Sequence, residues 1–300
     1  MIAVLVCAGL FVQTIRTKTV SSRVSQNEKV RVTTSFYPLY FFTSQIGGDK
    51  VDVTNITPSG AEPHDYEPTT QDMVKIEESD LLVLNGGVEA WGNKVQDALK
   101  DRGIKIVTAG EGLLTQQITE DNQTSTDPHV WLSPELAKKE VDAISEALIE
   151  FAPQDKSYFE ARTIALKGQL DQLDARYRQS LATCKRKDII TSHAAFGYLA
   201  TAYGLHQIPI AGLSPDEEPS PKQLIGVVDF AKSHNATYIF FESLVSPKLS
   251  DTIASEVGAK TLVLDPLEGI SDADIAQGKD YFSVMRDNLS NLQTALQCTK

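Results

Sequence analysis

The feature that most constrains the fold is an alternation of strand-like and helical segments that occurs twice, on either side of a long helical stretch. In the first half, apolar or β-branched runs occupy residues 30–36, 51–56, 81–84 and 105–108. In the second half, similar runs occupy residues 188–191, 208–210, 237–241 and 261–264. Strands that alternate with helices are typical of mainly parallel sheets covered by helices. The sequence therefore predicts an α/β fold with two similar lobes.

The segment between the two halves predicts a rigid connector. Residues 134–151 and 153–181 both have helical spacing, and the second segment mixes apolar residues with many charges. About 28 helical residues would extend on the order of 40 Å at 1.5 Å per residue. We predict a first lobe over residues 30–152, one long linker helix over 153–183 and a second lobe over 184–300, with residues 1–29 as signal or anchor and tether.

Length and charge limit the class of protein. The chain has 300 residues, 41% of them apolar and 23% charged, which is typical of a soluble globular protein with two domains. The formal net charge of −12 argues against nucleic acid or an anionic lipid surface as the main partner, and it is compatible with a cation ligand. We expect a monomer.

The N-terminal segment predicts export. Residues 1–12 (MIAVLVCAGLFV) are an unbroken apolar run, too short for the approximately 20 residues of a membrane-spanning helix. The run resembles the apolar core of a signal peptide, although a positively charged start and an A-x-A cleavage site are missing. We interpret it as an export signal or anchor with an incomplete start, which predicts an extracytoplasmic location in the periplasm or anchored at the cell surface. Cys7 is a candidate for lipidation, but Val6 is bulkier than the small residue that usually precedes a lipidated cysteine.

Two further cysteines leave two alternatives open. Cys184 and Cys298 lack the C-x-x-C spacing of a zinc ribbon or a redox motif. Outside the cytoplasm they would form one disulfide, and otherwise they would be two buried thiols.

Three histidines next to conformationally restricted backbone predict a metal site. His64 lies between two prolines in residues 61–68 (AEPHDYEP), His129 follows Pro128, and His193 ends an apolar run. Proline stiffens a loop, because it fixes its own φ and restricts the preceding residue. A single histidine of this kind is equally consistent with a solvated surface residue, but three on separate loops are what a mononuclear zinc site needs.

The fourth ligand is expected from the segment after the last predicted strand. Asp265 and Glu268 both follow that strand, and ligands bind at the carboxyl ends of strands in open α/β sheets. The sequence does not choose between these two carboxylates. Glu242 also follows a strand, and we expect it to bond the free ring nitrogen of a ligand histidine or to lie at the lobe interface. Asp65 and Asp127 are further candidates for the ring-nitrogen contact. His206 and His234 follow predicted helices and are expected at the surface.

Several long motifs resemble one known family. These are residues 34–40 (TSFYPLY), 61–68, 127–134 (DPHVWLSP), 191–199 (TSHAAFGYL), 212–220 (GLSPDEEPS) and 264–269 (LDPLEG). Over about residues 30–300 the chain resembles the zinc/manganese solute-binding proteins of ABC importers, solute-binding family 9. The resemblance implies two α/β lobes joined by one long helix, with a metal in the cleft between them. It also implies metal delivery to a membrane permease, with ligands at His64, His129, His193 and an acidic residue near Asp265 or Glu268.

The nitrogen-rich ligand set favours zinc over manganese. Manganese-type members of the family tend to have a carboxylate at the third position, where this chain has His193. The histidine-rich loop of some zinc members is absent, because residues 111–126 contain no histidine and predict a loose polar loop.

Two other hypotheses differ in function class. A zinc-dependent hydrolase would use three histidines and a water, with Glu62, Glu67 or Glu242 as general base. The chain has no H-E-x-x-H motif, and a fourth protein ligand would fill the open position that catalysis needs. A metal-binding surface adhesin with the same fold is the other hypothesis, and the sequence does not separate it from a transport role. We therefore expect a binding protein and no enzyme.

Overall fold

The computed structural model describes residues 29–120 and 123–299. The predicted signal or anchor, with Cys7, lies outside this range except for residue 29. The strands are β1 Val30–Thr34, β2 Val51–Asn55, β3 Leu81–Leu84, β4 Lys105–Thr108, β5 Gln117–Glu120, β6 Gln123–Thr126, β7 Asp188–Thr191, β8 His206–Pro209, β9 Tyr238–Phe241 and β10 Lys260–Val263. The helices are α1 Tyr37–Gly47, α2 Thr70–Glu78, α3 Gly92–Leu99, α4 Pro134–Phe151, α5 Lys156–Leu181, α6 Gly197–Tyr203, α7 Pro221–Ser233, α8 Lys248–Val257, α9 Asp272–Ala276 and α10 Tyr281–Ala295.

Each lobe contains a layer of parallel strands with the same spatial order. In the first lobe, four strands pair in the order β2, β1, β3, β4, and every pairing is parallel. In the second lobe, β7 pairs with β8 and β9 pairs with β10, again in parallel, and β7 lies beside β9. The resulting order β8, β7, β9, β10 matches that of the first lobe. The predicted α/β fold with two similar lobes is confirmed.

Local sequence accounts for several helix starts. Thr69 and Asp72 form a capping box at the start of α2, and Ser220 and Gln223 form another at α7. Such boxes satisfy backbone N–H groups that have no partner within the helix. Pro221 occupies the start of α7, where its missing N–H costs nothing. Ser220 is therefore the N-cap of α7.

The long helix α5 connects the lobes and packs against both. Its 26 residues extend about 39 Å. Most of its buried residues recur every three or four positions, and the helix contacts α1 and α4 of the first lobe and α6 and α10 of the second. One apolar cluster includes residues of β1, α1, α4, α5, α6 and α10, so the core is continuous through both lobes. The exact lobe boundaries at 30–152, 153–183 and 184–300 stay predictions.

Some predictions needed correction. Residues 111–126 are not simply a loose loop, because β5 and β6 form an antiparallel hairpin there. His206 follows α6 and is exposed, as predicted, but β8 begins at His206 and not at residue 208. Cys184 and Cys298 form a disulfide, which was one of the two alternatives. Across residues 29–120 and 123–299, no helix combines the length and apolar character that crossing a bilayer requires.

Candidate metal centre

His64 lies on the loop that connects β2 to α2. Pro63 before it is buried, and the backbone N–H of His64 donates to Oε1 of Glu62 at 3.2 Å. The His64 side chain is 9% exposed, and its Nε2 atom points towards the cleft between the lobes. The proline-flanked loop therefore presents this imidazole at the edge of a buried site.

His129 is fully buried and held by a carboxylate two residues earlier in the chain. Oδ1 of Asp127 accepts hydrogen bonds from the backbone N–H of His129 at 2.9 Å and from its ring Nδ1 at 2.7 Å. In the neutral imidazole, Nδ1 carries the proton that is donated to Asp127, so Nε2 has a free lone pair that can bind a metal. The contact fixes both the tautomer and the orientation of the ring.

His193 follows β7, and an equivalent carboxylate holds it. Its Nδ1 atom donates to Oε1 of Glu242 at 2.7 Å, and Glu242 follows directly after β9. Both residues are buried. The structure therefore brings Asp127 and Glu242 to the ring contacts expected from the sequence. Asp65, the third candidate for such a contact, is exposed and faces Asp216.

The loop after β10 brings Glu268 to the histidines and directs Asp265 elsewhere. Asp265 accepts a hydrogen bond from the backbone N–H of Leu267 at 2.7 Å and another from Ser243. Leu267 has a positive φ of 58°, a conformation that a residue of this type rarely adopts. The turn directs Glu268 into the cleft, where it is buried.

Four donor atoms converge, and five of the six distances between them match the edges of a zinc tetrahedron. Oε1 of Glu268 lies 3.1, 3.0 and 3.3 Å from the Nε2 atoms of His64, His129 and His193. Nε2 of His129 lies 3.3 Å from Nε2 of His64 and 3.3 Å from Nε2 of His193. Zinc bonds of about 2.0–2.1 Å in a tetrahedron give edges of about 3.3 Å. These four residues form a group that could hold a metal within the described part of the chain.

The electrostatics of the site favour a positive charge at its centre. Burial lowers the pKa of His193, but the carboxylates of Glu242 and Glu268 outweigh burial and hold this pKa well above its usual value. Burial raises the pKa of Glu268, yet the three imidazoles hold it well below its usual value. The buried carboxylate thus requires a cationic partner, either a protonated imidazole or a metal ion. A metal that binds here displaces protons from the histidines.

Glu62 lies beside the site without joining the four donors. Burial and the nearby charge of Glu268 raise the pKa of Glu62 to about 9, so the carboxyl is neutral at neutral pH. Glu67, another residue considered as a general base, is exposed.

Two aromatic residues that sequence reasoning missed connect the ligand-bearing segments. Nε1 of Trp131 donates to the carbonyl of Pro266 at 2.7 Å, and the hydroxyl of Tyr281 donates to the carbonyl of Trp131 at 2.6 Å. The first bond joins the segment that bears His129 to the loop that bears Glu268, and the second joins the same segment to the start of α10. A buried tryptophan needs a hydrogen-bond acceptor for its indole N–H, so the sequence could have indicated that Trp131 has one. The pattern of residues does not indicate which carbonyl is that acceptor.

The fold and the convergent donors define a class, the metal solute-binding proteins with two α/β lobes. Over residues 32–295 the chain matches the family model described as zinc-uptake complex component A, periplasmic, and the chain belongs to this ZnuA family. The resemblance stated from the motifs is therefore confirmed.

Three relatives illustrate the similarity. The chain is 41% identical to the high-affinity zinc uptake system protein ZnuA of Bacillus subtilis, over 93% of this chain and 91% of the relative. It is 38% identical to the zinc-binding lipoprotein AdcA of Streptococcus pneumoniae over 91% of this chain, but it spans only 57% of the length of AdcA. The Zn(II)-bound ZnuA-like domain of AdcA superposes with a TM-score of 0.78 at 38% identity, over 90% of this chain and 99% of the domain. The laminin-binding protein Lmb of Streptococcus agalactiae superposes with a TM-score of 0.79 at 34% identity, over 89% of this chain and 99% of Lmb.

Proposed function

We propose that this chain is an extracytoplasmic zinc-binding protein that captures the ion and delivers it to the permease of an ABC importer. The convergence of His64, His129, His193 and Glu268 at the spacing of a zinc tetrahedron carries this proposal. The zinc uptake role of the Bacillus subtilis relative and the zinc-bound domain of AdcA support it. Zinc is the ion captured, and the protein acts as a monomer in the periplasm or at the cell surface.

The donor chemistry favours zinc over manganese. Three imidazole nitrogens and one carboxylate oxygen suit zinc, whereas manganese prefers oxygen-rich sites with more ligands. Each lobe contributes two of the four donors, because His64 and His129 precede α5 and the other two follow it. A bound ion therefore stabilises the arrangement in which the lobes meet, and its differential affinity for that arrangement drives closure.

A binding role fits the donor count better than hydrolysis does. A catalytic zinc keeps one position open for water, and four protein donors fill a tetrahedron. Glu62 lies close to the site but is not one of the four donors, and the chain has no H-E-x-x-H motif. We therefore propose that the chain is no enzyme.

Metal analysis and competition titration test the zinc proposal. The purified protein should bind one zinc, should retain zinc against excess manganese, and should melt at a higher temperature with zinc than after treatment with a chelator. His129→Ala should remove this stabilisation, and His206→Ala, which changes an exposed histidine, should retain it. A preference for manganese, or equal melting temperatures with and without zinc, would contradict the proposal.

A growth assay tests delivery. Cells that lack their own zinc-binding protein should grow in zinc-limited medium when they express this chain, and they should fail to grow when they express His129→Ala. Equal growth with both forms would exclude a role in zinc delivery.

A role as an adhesin is a second candidate, and one relative favours it. Lmb is described as a bifunctional protein with adhesin and metal transporting activity. If this chain shares the first activity, it should bind immobilised laminin and the adhesin proposal would stand beside the transport proposal. Absence of laminin binding would exclude this form of adhesion.

A further inference from the structure

The phenol of Tyr198 makes three hydrogen bonds from the second lobe to the first. Tyr198 is the second residue of α6, and only 4% of it is exposed. Its oxygen accepts the backbone N–H groups of Thr115 at 2.8 Å and of Gln116 at 3.0 Å, and its hydroxyl donates to the carbonyl of Asp127 at 3.1 Å. One donor and two acceptor positions exhaust the bonding capacity of a phenol. The hydroxyl of Tyr198 therefore uses its full hydrogen-bonding capacity on the first lobe, and the three bonds fix its orientation.

These three bonds hold the residue that orients His129. The backbone N–H of Asp127 donates to the carbonyl of Gln116, so residues 115–116 and 127 form the base of the β5–β6 hairpin. Tyr198 binds this base on both of its strands, while Oδ1 of Asp127 receives both N–H groups of His129. A shift of the Asp127 backbone would therefore move the His129 ring.

Gly197, the residue before Tyr198, lies against the side-chain carboxylate of the same aspartate, Asp127. A Cβ atom on Gly197 would lie 2.6 Å from Oδ2 of Asp127 and 2.7 Å from Oε1 of Gln116, which is too close for any other residue without a shift. Oδ2 of Asp127 is buried and has no hydrogen-bond partner among the described residues. The start of α6 thus fits closely around Asp127, on both its backbone and its carboxylate.

We propose that Tyr198 is a positioning residue for metal capture, which orients His129 through Asp127 when the lobes meet around the ion. The inference rests on the proposed zinc-binding function. His193 lies five residues before Tyr198 in one short segment, so the second lobe presents a metal donor and this contact together. When the lobes separate, water replaces the phenol as partner of the three backbone groups. The contact therefore stabilises the metal-bound arrangement and slows release of the ion.

Tyr198→Phe tests the proposal, with Tyr203→Phe as the matched control. Both changes remove one hydroxyl from a buried ring of α6, but the Tyr203 hydroxyl donates to Asp174 of α5 and not to the first lobe. We expect Tyr198→Phe to release zinc to a chelator about tenfold faster. It should also reduce the zinc-induced rise in melting temperature while the metal-free form melts as the wild type does. Tyr203→Phe should lower the melting temperatures of both forms equally and retain the wild-type release rate.

A second variant perturbs the contact between α6 and Asp127 without removing a hydroxyl. Gly197→Ala should displace the carboxylate of Asp127 and should also accelerate zinc release. The proposal is overturned if Tyr198→Phe lowers the melting temperatures of both forms equally, or if both variants release zinc at the wild-type rate. Failure of the wild-type protein to bind zinc would instead overturn the proposed function, so the two failures are distinguishable.

Discussion

Two carboxylates three positions apart, Asp265 and Glu268, were candidates for the acidic donor of the metal site. Glu268 lies with the histidines, and Asp265 accepts hydrogen bonds within its own loop. The sequence indicated the segment that contains both carboxylates but could not choose between them. The choice depends on the positive φ at Leu267, which the local pattern of residue types does not indicate.

Replacement of each carboxylate separates their roles. Glu268→Ala should weaken zinc binding by more than about a hundredfold, because loss of a direct donor should exceed the effect of losing a residue that only orients one. Asp265→Asn retains the size of the side chain and should weaken binding only a few fold. Competition titration with a chromogenic chelator measures both changes. A larger loss in Asp265→Asn would assign the donor to Asp265.

Glu140 is a second residue with an unusual environment, and it has no role in the metal site. It lies on α4, is fully buried, and both of its carboxylate oxygens lack a hydrogen-bond partner among the described residues. Burial, with a smaller contribution from Glu89, holds its pKa well above its usual value. The folded protein therefore retains a proton that the unfolded chain releases.

The buried acid predicts how stability changes with pH. Because the pKa is raised in the folded state, the free energy of unfolding should fall as pH rises above the usual glutamate pKa, by up to about 1.4 kcal/mol per pH unit. Glu140→Gln removes this titration, so the stability of the variant relative to the wild type should increase as pH rises above the usual glutamate pKa. Urea unfolding across this rise in pH measures the increase. Glu146→Gln, an exposed change on the same helix, should leave the profile unchanged, and a gain independent of pH in Glu140→Gln would contradict the prediction.

At the level of elements, the apolar strands were predicted better than the polar ones. The observed bounds of β3, β4 and β7 coincide with the predicted ones, because short apolar runs in a sheet covered by helices are distinct from the sequence around them. The β5–β6 hairpin escaped prediction because its residues are almost all polar. Pairing within the hairpin and the contacts of its base with Tyr198 support it, and neither is visible in a local pattern.

The long helix contains a glycine that offers a test of helix stability. Gly168 lies within α5, and a Cβ atom there would meet nothing within 4 Å. Gly168→Ala should therefore stabilise the protein by about 0.5–1 kcal/mol, because alanine loses less backbone entropy in a helix. Thermal unfolding measures the change. Gly204→Ala also meets no atom, but Gly204 follows α6 with φ at +65°, so this control should destabilise the protein.

For the whole molecule, the disulfide connects the end of the linker helix to the end of the chain. Cys184 lies between α5 and β7, and Cys298 is 114 positions further along. Removal of both cysteines by Cys184→Ser and Cys298→Ser should lower the free energy of unfolding by about 2–5 kcal/mol. Zinc affinity should stay the same, because the disulfide lies near the amino end of β7 and His193 follows its carboxyl end. Chemical denaturation and zinc titration measure the two quantities, and a loss of zinc affinity would show that the disulfide also supports the site.

The apolar core that passes through both lobes has a consequence for calorimetry. Side chains from α1, α5 and α10 belong to one cluster, so neither lobe can expose its part of this cluster without disrupting the part in the other lobe. We expect the metal-free protein to show a single heat-absorption peak, with equal calorimetric and van't Hoff enthalpies. Two resolved peaks would indicate that each half melts as an independent cooperative unit.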